Sequence, residues 1–474
     1  MTPARLGILG AALCAVAACG HAKPAPATRA SAANGPALVA DPQLIEMSVD
    51  PTASLVPASA SSKLGVRVQI HALDLPAARR PAVNLTLVLD TSGSMAGKPI
   101  AALRTSARSL IERMRDGDRV AVIAFHSRVD LLVPNTPIDA TARERISKVI
   151  DRITARGTTD LAAGLAAGLQ QVQAGLLRDG INRIVMFSDG VPNTAAALPT
   201  LIASAHQTGI GVTTLGFGID YDSTLLTRIA RDTGGTFRYV ETPEAVASVF
   251  DSELSKMTTV VGRNLQLALA PGPGVTIEAM PGLTIGADGK AYATIGDLAA
   301  GERRDLMIPI RVAARGDGSI AELVDVALAF DDVINRSGRQ QRDGFATAAA
   351  SDDALAVRQS VKIDLEVQRI RTAAASAVLD AIAFARQGQL DQGRKRIVDV
   401  IELVRAATTR LQDPELAKMV AQLEELIGHL AQLTTPIDVQ VPAGDAKPVV
   451  APASVEVRLR RTEERAAQTV RGAR

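Results

Sequence analysis

The chain has 474 residues, of which 47% are apolar and 2% aromatic, and its formal net charge is +2. A chain of this length is expected to hold about two to four domains, and their cores must be aliphatic and rich in alanine. Acidic and basic residues are interleaved, whereas a nucleic-acid-binding protein concentrates basic residues on one face. We therefore expect no nucleic-acid partner.

The first residues are typical of a bacterial export signal. A basic residue and an apolar stretch precede Val16-Ala17-Ala18-Cys19, which resembles the lipobox of bacterial lipoproteins. The resemblance implies a signal peptide over residues 1–18, a lipid on Cys19 and anchoring to a membrane of the cell envelope. Gly20 stands where aspartate retains many lipoproteins in the inner membrane, which favours the outer membrane in a cell with two. An ordinary secretory signal with a chance cysteine is the alternative.

The next segment lacks a hydrophobic period and is followed by strands. Residues 19–43 are rich in Ala and Pro, a composition typical of a flexible tether. Within residues 44–80, apolar and polar residues alternate over residues 64–70, and this period of two predicts a half-buried strand. We expect these strands to complete a β-sandwich that is formed mainly by later parts of the chain.

From residue 81 to residue 257, short apolar strands alternate with amphipathic helices. We predict strands at residues 83–89, 119–125, 129–133, 183–188, 211–216 and 237–240. We predict helices at residues 98–114, 140–153, 160–177, 195–207, 223–233 and 243–257. This alternation predicts an α/β domain with a mostly parallel sheet covered by helices on both faces.

Further regions follow the α/β domain. Over residues 258–335 the period returns to two, with Pro-Gly and Asp-Gly turns, so we predict a β-sandwich into which the α/β domain is inserted. Residues 350–433 are predicted to form a helical hairpin or bundle, whose last helix has Asp413 as its cap and Pro414 as its first residue. For residues 434–474 we predict a disordered basic tail with solvated arginines. The predicted fold class is thus multidomain, with α/β, β and α parts.

The most informative segment is Asp90-Thr91-Ser92-Gly93-Ser94, directly after the predicted strand at residues 83–89. Open α/β sheets bind their ligands at the carboxyl ends of the strands, so this loop lies where a ligand site is expected. One carboxylate and two hydroxyls supply hard oxygen ligands, which suit Mg²⁺, Mn²⁺ or Ca²⁺ better than zinc. The sequence therefore predicts a divalent-cation site, with Mg²⁺ as the favoured ion.

This segment matches the DxSxS signature of von Willebrand factor type A domains. Two further segments resemble elements of that family and occur in the same order, Gly157-Thr158-Thr159-Asp160-Leu161 and Ser188-Asp189-Gly190. The resemblance implies a Rossmann-like domain with a metal-ion-dependent adhesion site. It implies metal ligands at five positions, Asp90, Ser92, Ser94, Thr159 and Asp189. The aspartates are expected to bind directly or through water, and Thr159 is expected to join when a partner protein offers a carboxylate to the ion.

Alternative interpretations stay open. Each of the three segments alone is also typical of a helix cap or a turn, and their joint occurrence favours the metal site. A metal-dependent phosphoesterase is a second hypothesis, although Ser92 occupies the place of the second aspartate expected in such enzymes. A P-loop is excluded because Pro99 stands where Ser or Thr should hold Mg²⁺, and we predict that His126 is a packing residue. A structural lipoprotein with a vestigial metal site is a third hypothesis. We favour a non-catalytic envelope lipoprotein that binds a protein partner.

Overall fold

The computed structural model describes residues 44–74, 80–189, 196–218, 221–432 and 453–472. The predicted signal peptide, Cys19 and the tether lie outside these residues. Strands are β1 (Ile45–Pro51), β2 (Leu55–Pro57), β3 (Ser62–Ala72), β4 (Val83–Asp90), β5 (Arg119–Phe125), β6 (Val129–Pro137), β7 (Ile181–Ser188), β8 (Gly211–Phe217), β9 (Phe237–Val240), β10 (Val260–Pro271), β11 (Val275–Ile277), β12 (Thr284–Ile285), β13 (Ala291–Ala299), β14 (Arg303–Val312), β15 (Ile320–Asp332) and β16 (Gly338–Ser351). Helices are α1 (Lys98–Arg113), α2 (Ala140–Ile150), α3 (Leu161–Ala174), α4 (Leu198–Gln207), α5 (Ser223–Asp232), α6 (Ala245–Thr258), α7 (Ala354–Gln359), α8 (Ile363–Arg386), α9 (Leu390–Leu411), α10 (Pro414–Gln432) and α11 (Ala453–Val470). None of the helices in the described ranges has the length and apolarity needed to cross a membrane.

The α/β domain is built on a six-stranded sheet in the order β6-β5-β4-β7-β8-β9. Its strands are parallel except for the edge strand β6, which runs antiparallel to β5 and extends to Pro137, beyond the predicted end. Every residue of β4 and β7 is buried, because α1, α2 and α6 cover one face of the sheet and α3, α4 and α5 cover the other. The carboxyl ends of β4 and β7 lie side by side, and Asp90 and Asp189 are found there.

The β-sandwich combines strands from before and after the α/β domain. One sheet has the order β1-β3-β14-β11 and the other has the order β12-β13-β10-β15-β16-β2. β3 pairs antiparallel with β14, from Ser62 opposite Val312 to His71 opposite Arg303. Most of its buried residues alternate with more exposed ones, as the period of two indicates. The α/β domain is therefore inserted between β3 and β10, and the predicted multidomain fold class is confirmed.

The sandwich extends beyond the predicted limit at residue 335. β16 pairs with β15 along its length, and its inward-facing side chains near the carboxyl end are Ala346, Ala348 and Ala350. Alanines that alternate with polar and small residues give only a weak hydrophobic period, and for this reason the sequence did not indicate the strand. The sheet ends at Ser351, and the helical region begins at α7.

The helical region contains α8, α9, α10 and α11, whose buried side chains form one hydrophobic cluster. As predicted, Asp413 caps α10, and its side chain accepts the N–H of Leu416 at 3.1 Å. The prediction of a disordered tail is wrong for residues 453–470, which form α11. One face of α11 is buried, and its apolar residues are Val455, Leu459, Ala466 and Val470. The abundance of arginine suggested solvation, but apolar residues four and seven positions apart give the helix a face to bury.

Candidate metal site

The loop after β4 carries three of the predicted ligands. Asp90 is the last residue of β4 and is fully buried, and Ser92 is buried beside it. A short 3₁₀ turn at Gly93–Met95 follows and brings Ser94 back toward Ser92. The two hydroxyl oxygens lie 3.1 Å apart, so the alternate serines face the same point.

The second aspartate completes a cluster of four side chains. Asp189 follows β7, and its Oδ1 accepts hydrogen bonds from the Ser94 hydroxyl at 3.0 Å and the Ser92 hydroxyl at 3.3 Å. Asp90 accepts the Ser92 N–H through Oδ1 at 2.9 Å and the Ser188 hydroxyl through Oδ2 at 2.6 Å. The structure therefore brings together Asp90, Ser92, Ser94 and Asp189, from two loops that are far apart in sequence.

Both aspartates lie where their negative charge is unfavourable. Burial raises the pKa of Asp90 above its ordinary value, although hydrogen bonds from Ser188 and Ser92 act in the opposite direction. Burial and the nearby Asp90 carboxylate raise the pKa of Asp189 to about 6. Within the described part of the chain, the two carboxylates are bonded by hydroxyls and backbone N–H groups and not by basic side chains. A divalent cation would supply the positive charge that the protein does not.

Thr159 lies in the neighbouring loop but is not bonded to this cluster. The Gly157 carbonyl accepts the Gly93 N–H at 3.0 Å, and Asp160 caps α3 by accepting the Ala163 N–H at 3.1 Å. Thr159 is buried between these two contacts. Among the described residues it forms no hydrogen bond with the other four predicted ligands, and its role in a partner-bound state stays a prediction.

Backbone contacts hold the two loops in place. The Thr91 N–H donates to the Phe125 carbonyl at 2.8 Å, and the Thr91 carbonyl accepts the Arg156 N–H at 2.7 Å. Gly157 has a positive φ of 73°, and a Cβ there would lie 2.7 Å from the Ser127 hydroxyl oxygen. Only glycine meets both demands at low cost. These contacts hold the loop that carries Ser92 and Ser94 against the end of β5 and the Gly157 loop.

The donor set fits a hard divalent cation. In the ranges that the structure describes, no cluster of three or more His, Cys, Asp or Glu side chains could hold a metal ion, so this site would depend on serine oxygens as well as carboxylates. Neutral hydroxyl ligands beside two carboxylates suit Mg²⁺, Mn²⁺ or Ca²⁺ better than zinc. The residues that would hold the ion are Asp90, Ser92, Ser94 and Asp189, and the identity of the ion stays a prediction.

Ser188 contacts the site, although the sequence analysis assigns it no role. Ser188 donates its hydroxyl to Asp90 and thereby links the two strand ends. In the sequence, only its position directly before Asp189 indicates that it lies at the site.

His126 is a packing residue, as predicted. It is 6% exposed, its Nδ1 is 3.2 Å from the Arg128 N–H nitrogen, and its Nε2 is 3.0 Å from the Arg156 Nε.

Comparisons with known proteins agree with this architecture. The protein-family model described as "von Willebrand factor type A domain" matches residues 84–252. The chain is 33% identical over 199 residues to the uncharacterized protein sll0103 of Synechocystis sp., covering 41% of this chain and 46% of that one. It is 27% identical over 219 residues to the uncharacterized protein YfbK of Escherichia coli, covering 45% of this chain and 38% of that one. It therefore spans less than half the length of either relative.

A solved structure covers nearly the whole chain. It is a von Willebrand factor type A protein from Catenulispora acidiphila, similar with a TM-score of 0.66 at 18% sequence identity. The similarity covers 91% of this chain and 97% of that one. At this identity the likeness shows the fold alone.

Proposed function

We propose that this chain, whose residues 84–252 are a von Willebrand factor type A domain, binds a protein partner through a divalent cation at the candidate metal site. Such domains commonly mediate protein–protein interactions through a metal site. The observation that carries the proposal is the pair of buried aspartates in one cluster. Asp189 accepts the hydroxyls of Ser92 and Ser94, and Asp90 accepts the Ser92 N–H. Among the described residues, no basic side chain pairs with either carboxylate. A cation that binds both carboxylates best explains why they lie together.

The charges of the ligands suggest how a partner would bind. Two carboxylates roughly neutralise a divalent ion, and the hydroxyls of Ser92 and Ser94 add no charge, so the ion keeps its affinity for a further hard oxygen ligand. We propose that a carboxylate of the partner supplies that ligand and that Thr159 joins the site at the same time. Mg²⁺ is the favoured ion, and Mn²⁺ and Ca²⁺ are the alternatives.

We propose that the site is non-catalytic. Both oxygens of the Asp90 carboxylate already accept hydrogen bonds, from Ser92 and Ser188, and the residue is fully buried. A nucleophile needs an oxygen that can approach the substrate. Incubation with a generic phosphate ester and Mg²⁺ should therefore give no turnover above that of the Asp90→Ala variant, and metal-dependent turnover by the wild type alone would favour the phosphoesterase hypothesis.

Calorimetric titration with Mg²⁺ and Mn²⁺ tests the metal site. Asp90→Ala should abolish binding, because one carboxylate cannot balance a divalent ion. Asp139→Ala is the matched control, since Asp139 caps α2 by accepting the Ala142 N–H at 2.7 Å and takes no part in the cluster. Undiminished Mg²⁺ affinity in Asp90→Ala would show that the metal-site assignment is wrong.

Capture of a partner is tested separately. The full chain should retain a protein from envelope extract in Mg²⁺ and release it in chelator. Thr159→Ala should leave the resting Mg²⁺ affinity unchanged and weaken this capture, whereas Asp90→Ala should remove it. Capture that is equal in Mg²⁺ and in chelator would contradict a metal-dependent adhesion function.

We further propose that the protein is exported and anchored to the cell envelope, in the outer membrane of a cell with two membranes, by a lipid on Cys19. Cys19→Ala should move the protein from the membrane fraction to the soluble fraction, because the thioether-linked lipid cannot form. Cys14→Ala is the control, because this cysteine lies inside the signal and Leu13, not a small residue, stands directly before it. Equal membrane fractionation of both variants would contradict the anchor.

A further inference from the structure

We propose that a pocket between the α/β domain, the β-sandwich and the C-terminal segment binds one small oxyanion, such as sulfate, phosphate or bicarbonate. Side chains of β7, β8, α6, β13 and β14 line it, together with Arg471, which follows α11. Its volume is about 40 Å³, enough for about three water molecules or one compact ion, and too small for a nucleotide. The pocket shares no residue with the candidate metal site.

Basic side chains outnumber acidic ones in its lining. The charged residues that face it are Arg183, Lys256, Arg304, Arg471, Glu253, Asp297 and Glu302. Each acid already has a basic partner. Asp297 pairs with Arg183, the Glu302 Oε1 lies 2.5 Å from the Arg304 Nη2, and the Glu253 Oε1 lies 3.9 Å from the Lys256 Nζ. Arg238, outside the lining, lies 3.3 Å from Glu253 and also pairs with Glu464 at 3.7 Å, so it does not change this balance. The pocket therefore holds an excess of positive charge.

Arg471 carries this excess. Its Nη1 donates to the Gly235 carbonyl, and its Nη2 donates to the Ile295 carbonyl at 3.4 Å. Both partners are neutral, and no carboxylate of the described residues forms an ion pair with this guanidinium. Glu302 and Glu253 lie near enough to favour the charge of Arg471, but neither forms an ion pair with it, and a largely buried charge without a paired counter-charge is unfavourable. A bound anion would supply that counter-charge.

Two other arginines have hydrogen-bond donors that the protein does not use. The Nε atoms of Arg183 and Arg304 are buried and have no hydrogen-bond partner. In each arginine the Nη2 atom already pairs with a carboxylate, so the Nε–H group remains available to a further acceptor. Guanidinium groups recognise planar and tetrahedral oxyanions through several N–H groups at once, which matches three arginines around one small pocket.

The electrostatic environment agrees with the geometry. Burial, together with the neighbouring Arg304 and Arg183, lowers the pKa of Arg471 to about 9. Burial also lowers the pKa of Lys256, whose side chain is still 45% exposed. Lys256 therefore lies at the rim, where an ion from solvent can enter. An anion in the pocket would restore the ordinary affinity of these groups for their protons and would tie the end of α11 to both domains.

Thermal unfolding of the full chain in sulfate, phosphate, bicarbonate and chloride, at equal ionic strength, tests the proposal. The oxyanions should raise the Tm of the wild type in a saturable way, by about 1–2 °C at ten times Kd, whereas chloride should give a smaller shift. Arg471→Ala should remove the saturable part. Arg461→Ala is the matched control, because this arginine of the same helix is 54% exposed and pairs with Glu241, and it should respond as the wild type does.

A second variant keeps the test decisive if Arg471→Ala does not fold. Lys256→Gln changes only the exposed rim, so it should fold normally and shift the saturation midpoint to higher oxyanion concentration. A saturable shift that is the same in the wild type, Arg471→Ala and Lys256→Gln would overturn the proposal. So would a shift in the wild type that rises linearly with salt and never saturates, since this is the general effect of excluded salts.

Discussion

At the scale of single residues, the metal site depends on two aspartates that repel each other when no ion is bound. Asp90 and Asp189 are both buried, and the charge of Asp90 contributes to the raised pKa of Asp189. The same proximity that makes them suitable ligands makes the ion-free site unfavourable. Stability and metal binding are therefore linked at this site.

Asp90→Asn removes one charge while the side chain keeps its shape. The amide oxygen can still accept the Ser92 N–H, and the amide nitrogen can donate to the Ser188 hydroxyl, which then accepts. In chelator, the variant should be as stable as the wild type or more stable by about 1 kcal/mol, because the repulsion with Asp189 is gone. In saturating Mg²⁺ the wild type should be the more stable of the two, because only it binds the ion. Urea unfolding in both conditions measures the difference. A variant that is equally stabilised by Mg²⁺ would contradict the role of Asp90.

The pH dependence of the metal-free protein should report Asp189. Its pKa is raised to about 6, from an ordinary value of 3.8, so the folded state binds this proton more tightly than the unfolded state. The group's stabilising contribution is complete below about pH 4 and is lost as the pH rises through 6, at about 1.4 kcal/mol per unit of pKa difference. Unfolding in chelator between pH 4 and 7.5 should show this loss. Asp189→Asn should abolish it, and a wild type that grows more stable over this range in the same comparison would contradict the sign.

The sequence predicts most of the metal site but not all of it. The proximity of Asp90, Ser92, Ser94 and Asp189 was predictable, because parallel strands end at the same edge of a sheet and the motifs follow two of those strands. The contribution of Ser188 was not, because a serine at a strand end has many possible partners. The state of Thr159 was not predictable either, because it depends on a partner that the sequence does not contain.

At the scale of elements, α11 is the helix that joins the C-terminal region to the α/β domain. The Arg460 guanidinium lies 4.3 Å from the centre of the Tyr221 ring, and its Nη2 donates to the Tyr221 carbonyl at 2.6 Å. Glu463 accepts the Ser223 hydroxyl at 2.6 Å and pairs with Arg386 of α8 at 3.0 Å. Tyr221 lies between β8 and α5, and Ser223 is the first residue of α5. This buried polar cluster therefore holds α11 against the edge of the central sheet.

Glu463→Ala should weaken that attachment. The variant removes a carboxylate that pairs with both Arg386 and Arg460, although Glu456 still pairs with each. Removal of one partner from a buried ion pair costs about 3 kcal/mol. Hydrogen exchange should therefore accelerate in α11 while the amides of β4 keep their protection. Glu425→Ala is the control, because Glu425 is 59% exposed where it pairs with Arg458. Unchanged exchange in α11 of the Glu463→Ala variant would show that the cluster does not hold the helix.

The elements that the sequence did not predict share a physical cause. Runs of branched apolar residues correctly predicted the strands of the central sheet, and the alternation of apolar and polar residues correctly predicted β3. β16 buries alanines, and α11 buries one apolar face beneath a surface rich in arginine and glutamate. In both cases tertiary contacts stabilise an element whose own sequence has a weak hydrophobic pattern. In α11, arginines can be buried because carboxylates pair with them.

At the scale of the whole molecule, the α/β domain and the β-sandwich differ in whether their elements are continuous along the chain. The α/β domain is continuous in sequence, and one of its two hydrophobic clusters lies wholly within it. The other cluster takes only Val260 and Val333 as buried members from the sandwich, among the described residues. The sandwich is discontinuous, because β3 lies between β1 and β14 in its sheet and precedes the α/β domain. The period of two before residue 80 was enough to predict this insertion.

Two fragments test this difference in connectivity. Residues 81–257 should fold as a soluble unit, because they contain the complete six-stranded sheet and nearly all of both clusters. Their Tm should lie below that of the full chain, because Tyr221 loses its contact with Arg460 and Val260 is missing from the core. Residues 258–351 are the comparison, and they should not fold, because without β3 the strand β14 has lost its longest partner. Circular dichroism and thermal unfolding measure both outcomes. A disordered fragment 81–257 would mean that the sandwich or α11 is required for the central sheet to form, and a folded fragment 258–351 would mean that β1 and β3 are dispensable for the sandwich.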